Sequence, residues 1–175
     1  MRLQPVVIGT HQILVDLGSG FGYYADRLRE HAGYLVGVDL FLPSLHVAKN
    51  KRVFDDLVRA DILHLPLRLE KVSCITLFDV IEHLSKAEGR GLLASLQPSV
   101  FVSTPNSDLS NTQYARLVGN VREHHVSVWS TSDLEDLGYN ASARDAPLWM
   151  RLLGNKGIVI AHRERLMAPA KIIQQ

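Results

Sequence analysis

The chain has 175 residues, of which 46% are hydrophobic, 21% charged and 7% aromatic. That balance fits a single globular domain over residues 1–175 with its own core, and leaves no room for a second one. Nineteen Lys and Arg against eighteen Asp and Glu give a net charge of +1, so no overall field draws the protein to nucleic acid or to an anionic membrane.

In chain order, Ile13-Leu14-Val15-Asp16 reads as a first strand buried on both faces, and it runs into Gly18-Ser19-Gly20-Phe21-Gly22. A helix is expected from about Tyr23 to His31, closed by Gly33, and Leu35-Val36-Gly37-Val38-Asp39 is the second strand. Pro43 suits a helix start because its missing N–H is no loss there, and that helix runs to about Asn50. Leu57 to Asp61 and Cys74 to Phe78 read as the third and fourth strands. Ser85 with Glu88 has the spacing of a capping box that opens a helix reaching Gln97. Gly89 and Gly91 weaken that helix by about 1 kcal/mol each relative to Ala. Ser99 to Ser103 is a fifth strand, and Ser132 with Glu135 reads as a second capping box whose helix Gly138 ends. Ala141 to Arg144 and Gly157 to Ala161 are the last two strands, with no clear helix between them, which implies an antiparallel hairpin at the sheet edge. The fold class is therefore α/β, a mostly parallel seven-stranded sheet with that C-terminal edge hairpin. Apolar stretches such as Pro5 to Gly9 are too short to span a membrane, and the N-terminal run is too broken for a signal peptide. A lone cysteine, Cys74, excludes an internal disulfide and points to a cytoplasmic setting.

The glycine turn carries the chemistry. Three glycines at alternate positions after a buried strand let the backbone turn tightly and approach a ligand, while the following helix offers free amides. Asp39 stands 21 residues after Gly18 (39 − 18), close to the roughly 20 expected of an acid that binds ribose hydroxyls. A nicotinamide-dependent oxidoreductase is the nearest rival, but its fingerprint places the third glycine one residue later, where Tyr23 stands.

Val15-Asp16-Leu17-Gly18-Ser19-Gly20-Phe21-Gly22, Val38-Asp39-Leu40, Arg59-Ala60-Asp61-Ile62, Leu77-Phe78-Asp79-Val80-Ile81-Glu82-His83-Leu84 and Val102-Ser103-Thr104-Pro105-Asn106 follow one another at strand ends. In this order they resemble the class I S-adenosylmethionine-dependent methyltransferases from about Ile13 to Ala161. The resemblance implies a Rossmann-like doubly wound fold with S-adenosylmethionine as cofactor. It implies that the amides around Gly18, Ser19, Gly20 and Gly22 lie against the methionine part, with Asp16 orienting the turn and helping to hold the amino group. Asp39 would accept from the ribose hydroxyls and Leu40 would flank the adenine. Asp61 and the Ile62 amide would meet the adenine edge, the Phe78 carbonyl would take the methionine amino group, and Asp79 would open the transfer pocket.

The methyl group of such a cofactor is already activated, so the protein need only align acceptor and methyl and remove a proton. Candidate bases are Asp79, Glu82, His83, His124 and His125, with the 124/125 pair favoured. If Glu123 to Val126 is extended, only one histidine of that pair points into the pocket. Asp79, Glu82 and His83 resemble the acid, acid-His arrangement of some quinone-pathway O-methyltransferases, whose oxygen and imidazole groups could hold a divalent ion, but metal-free relatives carry the same letters and no metal is assigned. The long segment from Pro105 to Trp129 is expected to hold a short helix at Gln113 to Val118 and part of the acceptor site, with Trp129 in the core. Phe78-Asp79-Val80-Ile81 stands where base-modifying amino-methyltransferases carry an Asn-Pro-Pro-Tyr-type sequence. That departure favours a small-molecule acceptor over nucleic acid. Little chain precedes the first strand to form a lid, which makes a homodimer or an accessory, inactive cofactor-binding module the alternatives to a free-standing enzyme.

Overall fold

The computed structural model describes residues 9–106, 119–120, 124–145 and 157–165. Seven strands share one sheet: β1 (His11–Leu17), β2 (Ala32–Asp39), β3 (Asp56–Arg59), β4 (Cys74–Phe78), β5 (Ser99–Pro105), β6 (Asn140–Asp145) and β7 (Gly157–Arg163). Their order is β3-β2-β1-β4-β5-β7-β6, with the first five parallel and β7 antiparallel to both β5 and β6. The expected hairpin is present, with β7 inside the sheet and β6 alone at the edge. The chain winds one way from β1 to β3 and the other way from β4, so the direction reverses between β1 and β4. This is a doubly wound, Rossmann-like architecture, and ligands sit at the carboxyl ends of strands at such a reversal.

The helices are α1 (Ala25–Arg29), α2 (Leu42–Lys51), α3 (Lys86–Ser95) and α4 (Thr131–Glu135). One face of the sheet packs Val15, Val38, Leu77 and Val102 against Leu92 and Leu93 of α3, Leu134 of α4 and Trp129. On the other face Leu14, Leu35, Cys74 and Phe101 pack with Leu28 of α1. Among the described residues no helix is long and apolar enough to cross a membrane.

Two differences from the sequence reading have physical reasons. α1 begins at Ala25 rather than Tyr23, because Tyr24 is drawn away to Asp79 and Phe78. The capping box of α3 forms as read, from Ser85 and Glu88, but α4 is capped by Ser130 and Asp133 rather than by Ser132 and Glu135. Lys86 reaches from α3 to Asp133, and that ion pair fixes the earlier start. The helix expected at Gln113 to Val118 lies outside the described residues.

Candidate active site

A cavity of about 630 Å³ opens at the carboxyl ends of the parallel strands, where the winding reverses. Its first half is made by the loop after β1. Gly18, Gly20 and Gly22 all have positive φ, and a Cβ at Gly18 would lie 2.5 Å from Val80 Cγ2. The Gly18 and Ser19 N–H groups donate to the Val38 carbonyl at 2.8 and 3.0 Å, which ties the loop to the end of β2. Asp39 completes the tie: its carboxylate accepts from the Gly20 N–H and the Phe41 N–H, each at 2.8 Å. The Ser19 hydroxyl is buried with no hydrogen-bond partner among the described residues.

Gly18, Ser19, Gly20, Asp39, Leu40, Asp61, Ile62 and Phe78 all line the cavity. Asp61 accepts from the Leu63 N–H at 2.9 Å, which shapes the turn after β3. Asp16 and Gly22 are not part of the lining. Asp16 is buried beneath the loop, where Thr76 Oγ1 donates to it at 2.6 Å. Burial pushes its carboxyl up to about 7, against the Thr76 bond, and the Asp39 charge adds to the rise. Gly22 packs on Phe54, and its carbonyl accepts from Lys51 Nζ at 2.8 Å.

The second half gathers residues from distant parts of the chain. Ile81–His83 forms a single 3₁₀ turn after β4. The Glu82 carbonyl accepts from the N–H groups of Val126 and Ser127 at 2.8 and 3.1 Å. Trp129 Nε1–H and the Ser127 hydroxyl both donate to the Ile81 carbonyl, at 3.1 and 3.3 Å. Trp129 is fully buried, and Gly89 makes room for it, since a Cβ there would fall 2.5 Å from the ring. The glycine that weakens α3 in the sequence reading thus has a packing reason.

This zipper of hydrogen bonds carries His125 to Glu82 and His83, and one ligand atom from each of the three lies within 4.8 Å of the others. Glu82 is buried and accepts from Thr104 Oγ1 at 2.9 Å. The His83 and His125 rings meet edge-to-face at 5.1 Å. His83 Nδ1 lies 3.1 Å from the His124 carbonyl, which accepts a hydrogen bond from that nitrogen. Burial pulls the His83 imidazole below its usual pKa, against the carbonyl contacts and Asp79. Asp79 has φ +55° and lies open to the cavity, where Tyr24 OH donates to Oδ2 at 2.7 Å. Enclosure by protein raises its carboxyl above the usual range, opposed by the Tyr24 bond and the two imidazoles.

Both histidines of the 124/125 pair line the cavity, but His125 enters the cluster whereas His124 contributes its carbonyl. The sequence reading grouped Asp79, Glu82 and His83; the structure brings Glu82 and His83 together with His125, because the 3₁₀ turn does not splay the two neighbours. Tyr24 was missed, and its place directly after the glycine loop was the available signal.

Residues 15–97 match a methyltransferase domain family. Over those residues the chain carries a methyltransferase domain. This decides against the nicotinamide alternative. No curated protein matches the sequence. Similar solved structures include the small RNA methyltransferase HEN1, at 21% identity and TM-score 0.64, aligned over 91% of this chain and 24% of that one. An S-adenosylmethionine-dependent methyltransferase from Mesorhizobium loti aligns at 17% identity and TM-score 0.63, over 89% of this chain and 91% of that one. The N-methyltransferase NodS from Bradyrhizobium japonicum WM9, in complex with S-adenosylhomocysteine, aligns at 14% identity and TM-score 0.64, over 91% and 80%. The chain thus spans about a quarter of HEN1 and most of the other two.

Proposed function

We propose that this methyltransferase domain methylates a hydroxyl oxygen of a small acceptor, with a divalent cation held by Glu82, His83 and His125. The carrying observation is the convergence of one buried carboxylate and two imidazoles within 4.8 Å, in the same cavity as the glycine loop. One oxygen and two nitrogen donors suit a first-row transition ion. His83, with its N–H on a backbone carbonyl, has the oriented neutral ring that such an ion takes.

The cofactor half fits S-adenosylmethionine on two counts: the buried Ser19 hydroxyl awaits a partner, and the space at Gly18 is one a Cβ would fill. Asp39 holds the ribose hydroxyls while keeping Gly20 and Phe41, since a carboxylate offers about four acceptor positions. Leu40 flanks the adenine, Asp61 meets its amino group and the Ile62 amide a ring nitrogen, the Phe78 carbonyl takes the methionine amino group, and Asp16 braces the turn from below. S-adenosylmethionine, when bound, would supply an activated sulfonium methyl for transfer to the acceptor oxygen with the thioether as leaving group. A cation held by Glu82, His83 and His125 would supply Lewis acidity that eases loss of the hydroxyl proton. Asp79, held by Tyr24 in the same cavity, takes that proton.

HEN1 acts on small RNA. The described residues lining this cavity include neither Lys nor Arg, so none of them offers a phosphate chain an ammonium or guanidinium group. A neutral, small acceptor fits that lining better.

Manganese(II) titration followed by electron paramagnetic resonance tests the reading. Wild type is expected to bind the ion, and Glu82→Gln to bind it tenfold to a hundredfold more weakly, on the order of the loss when a metal site's supporting residues are removed. S-adenosylhomocysteine affinity by calorimetry should stay the same in both. A wild-type protein that binds the cofactor product but no manganese overturns the cation.

A further inference from the structure

Tyr23 has the largest exposure of the large hydrophobic side chains among the described residues, at 81%, yet it lines the cavity. Its place is fixed by its neighbour. Tyr24 is pinned by its hydrogen bond to Asp79 and by an edge-to-face contact with Phe78 at 5.1 Å, and Tyr23 meets Tyr24 at 5.0 Å with ring planes 87° apart. A perpendicular pair covers at most one face of each ring, so at least one face of Tyr23 stays open to solvent. Val126, 62% exposed, lines the same cavity from the segment after β5, and its N–H is fixed on the Glu82 carbonyl. Two exposed apolar groups, one resting against the pinned Tyr24 ring and the other on a hydrogen-bonded backbone, thus border the cavity that holds Glu82, His83 and His125. Groups already held in place lose little freedom when a ligand settles on them.

We propose that Tyr23 is the platform on which the methyl acceptor stacks, and that the acceptor is a small, neutral compound with a planar unsaturated ring bearing a hydroxyl group. The hydroxyl rests on the oxygen-methylation reading above; the ring rests on Tyr23 alone. A planar ring covers the open face of Tyr23, whereas a puckered aliphatic ring touches it at a few atoms. The described lining holds no Lys or Arg, so it offers no ammonium or guanidinium to pair with an anionic acceptor.

The test uses the whole chain saturated with S-adenosylhomocysteine and manganese(II), and ligand-observed nuclear magnetic resonance titrations with three probes: catechol, cyclohexane-1,2-diol and a short single-stranded oligoribonucleotide. Catechol is expected to bind wild type and Tyr23→Phe alike, and Tyr23→Ala roughly tenfold or more weakly, as for loss of an aromatic stacking partner. The diol should bind more weakly than catechol and show no dependence on residue 23. Equal catechol affinity in wild type and Tyr23→Ala overturns the platform. Tighter binding of the oligoribonucleotide than of catechol, falling steeply with salt, overturns the small-ring acceptor. Repeating the catechol titration without manganese separates the two proposals: binding that depends on Tyr23 in a protein that takes up no manganese removes the cation and keeps the platform.

Discussion

Asp39 reaches the Gly20 and Phe41 amides from the end of its own strand, whereas His125 reaches Glu82 only because four hydrogen bonds lay residues 126–129 along the Ile81–His83 turn. The two halves of the cavity therefore fail in different ways. In the cofactor half, strand pairing of β1 with β2 brings loop and acid together, and the register runs through Leu17 and Val38 to the point where the loop begins. In the acceptor half, no strand pairing positions His125; a buried indole, two backbone carbonyls and the gap at Gly89 do so. A site half set by sheet register should lose ligand affinity when one polar group is changed. A half set by packing should lose it when a residue that touches no ligand is changed.

Asp39→Ala is the strongest way to break the first half. It removes both loop contacts and the proposed ribose acceptor, and charge-assisted hydrogen bonds of this kind contribute about 1.5–3 kcal/mol. S-adenosylhomocysteine affinity measured by calorimetry should fall by about tenfold to a hundredfold, while manganese binding changes little. Asp39→Asn, which keeps the shape, should recover part of the loss. Unchanged affinity in Asp39→Ala would remove the residue from the cofactor site.

Trp129→Phe tests the second half without removing its bulk. The Ile81 carbonyl loses its indole donor in a buried setting, at a cost of about 1–3 kcal/mol in stability. Manganese affinity should drop several-fold, because the segment carrying His125 is less firmly tied to the turn. S-adenosylhomocysteine affinity should hold within about twofold, since sites without shared partners behave independently. If both ligands weaken together, the halves are coupled through the core rather than built separately.

The same contrast explains what could be read from the sequence. Five parallel strands, the final hairpin and the cavity-lining places of Gly18, Asp39, Asp61 and Phe78 were legible, because each motif sits within a few residues of a strand end and its role follows from local backbone direction. The partnership of Glu82 with His125 was not, because 43 residues separate them (125 − 82) and only the fold shows that Val126 and Ser127 lie on the Glu82 carbonyl. Gly89 looked like a weak point in a helix until Trp129 filled the space above it. Ser132 with Glu135 had the right spacing for a cap, but so did Ser130 with Asp133, and a tertiary partner, Lys86, chose between them.

That choice gives the smallest and most specific prediction. Partial burial alone would raise the Asp133 carboxyl, but hydrogen bonds from Lys86 and Ser130 outweigh it and hold the pKa at about 2. Lys86 also lies 4.2 Å above the Trp129 ring, so the cap of α4 and the indole that ties down the acceptor half share one cation. A carboxyl whose pKa is lower folded than unfolded stabilises the protein above its ordinary pKa of about 3.9, and that contribution is lost as the pH falls through about 2. Asp133→Asn should therefore show a smaller decline in urea midpoint than wild type between about pH 5 and pH 2. The two should differ by no more than about 1 kcal/mol at neutral pH, because a partly exposed ion pair is screened by solvent. Parallel declines in wild type and variant would mean that Lys86 chooses the start of α4 through Trp129 and the Val128 carbonyl, without help from the Asp133 charge.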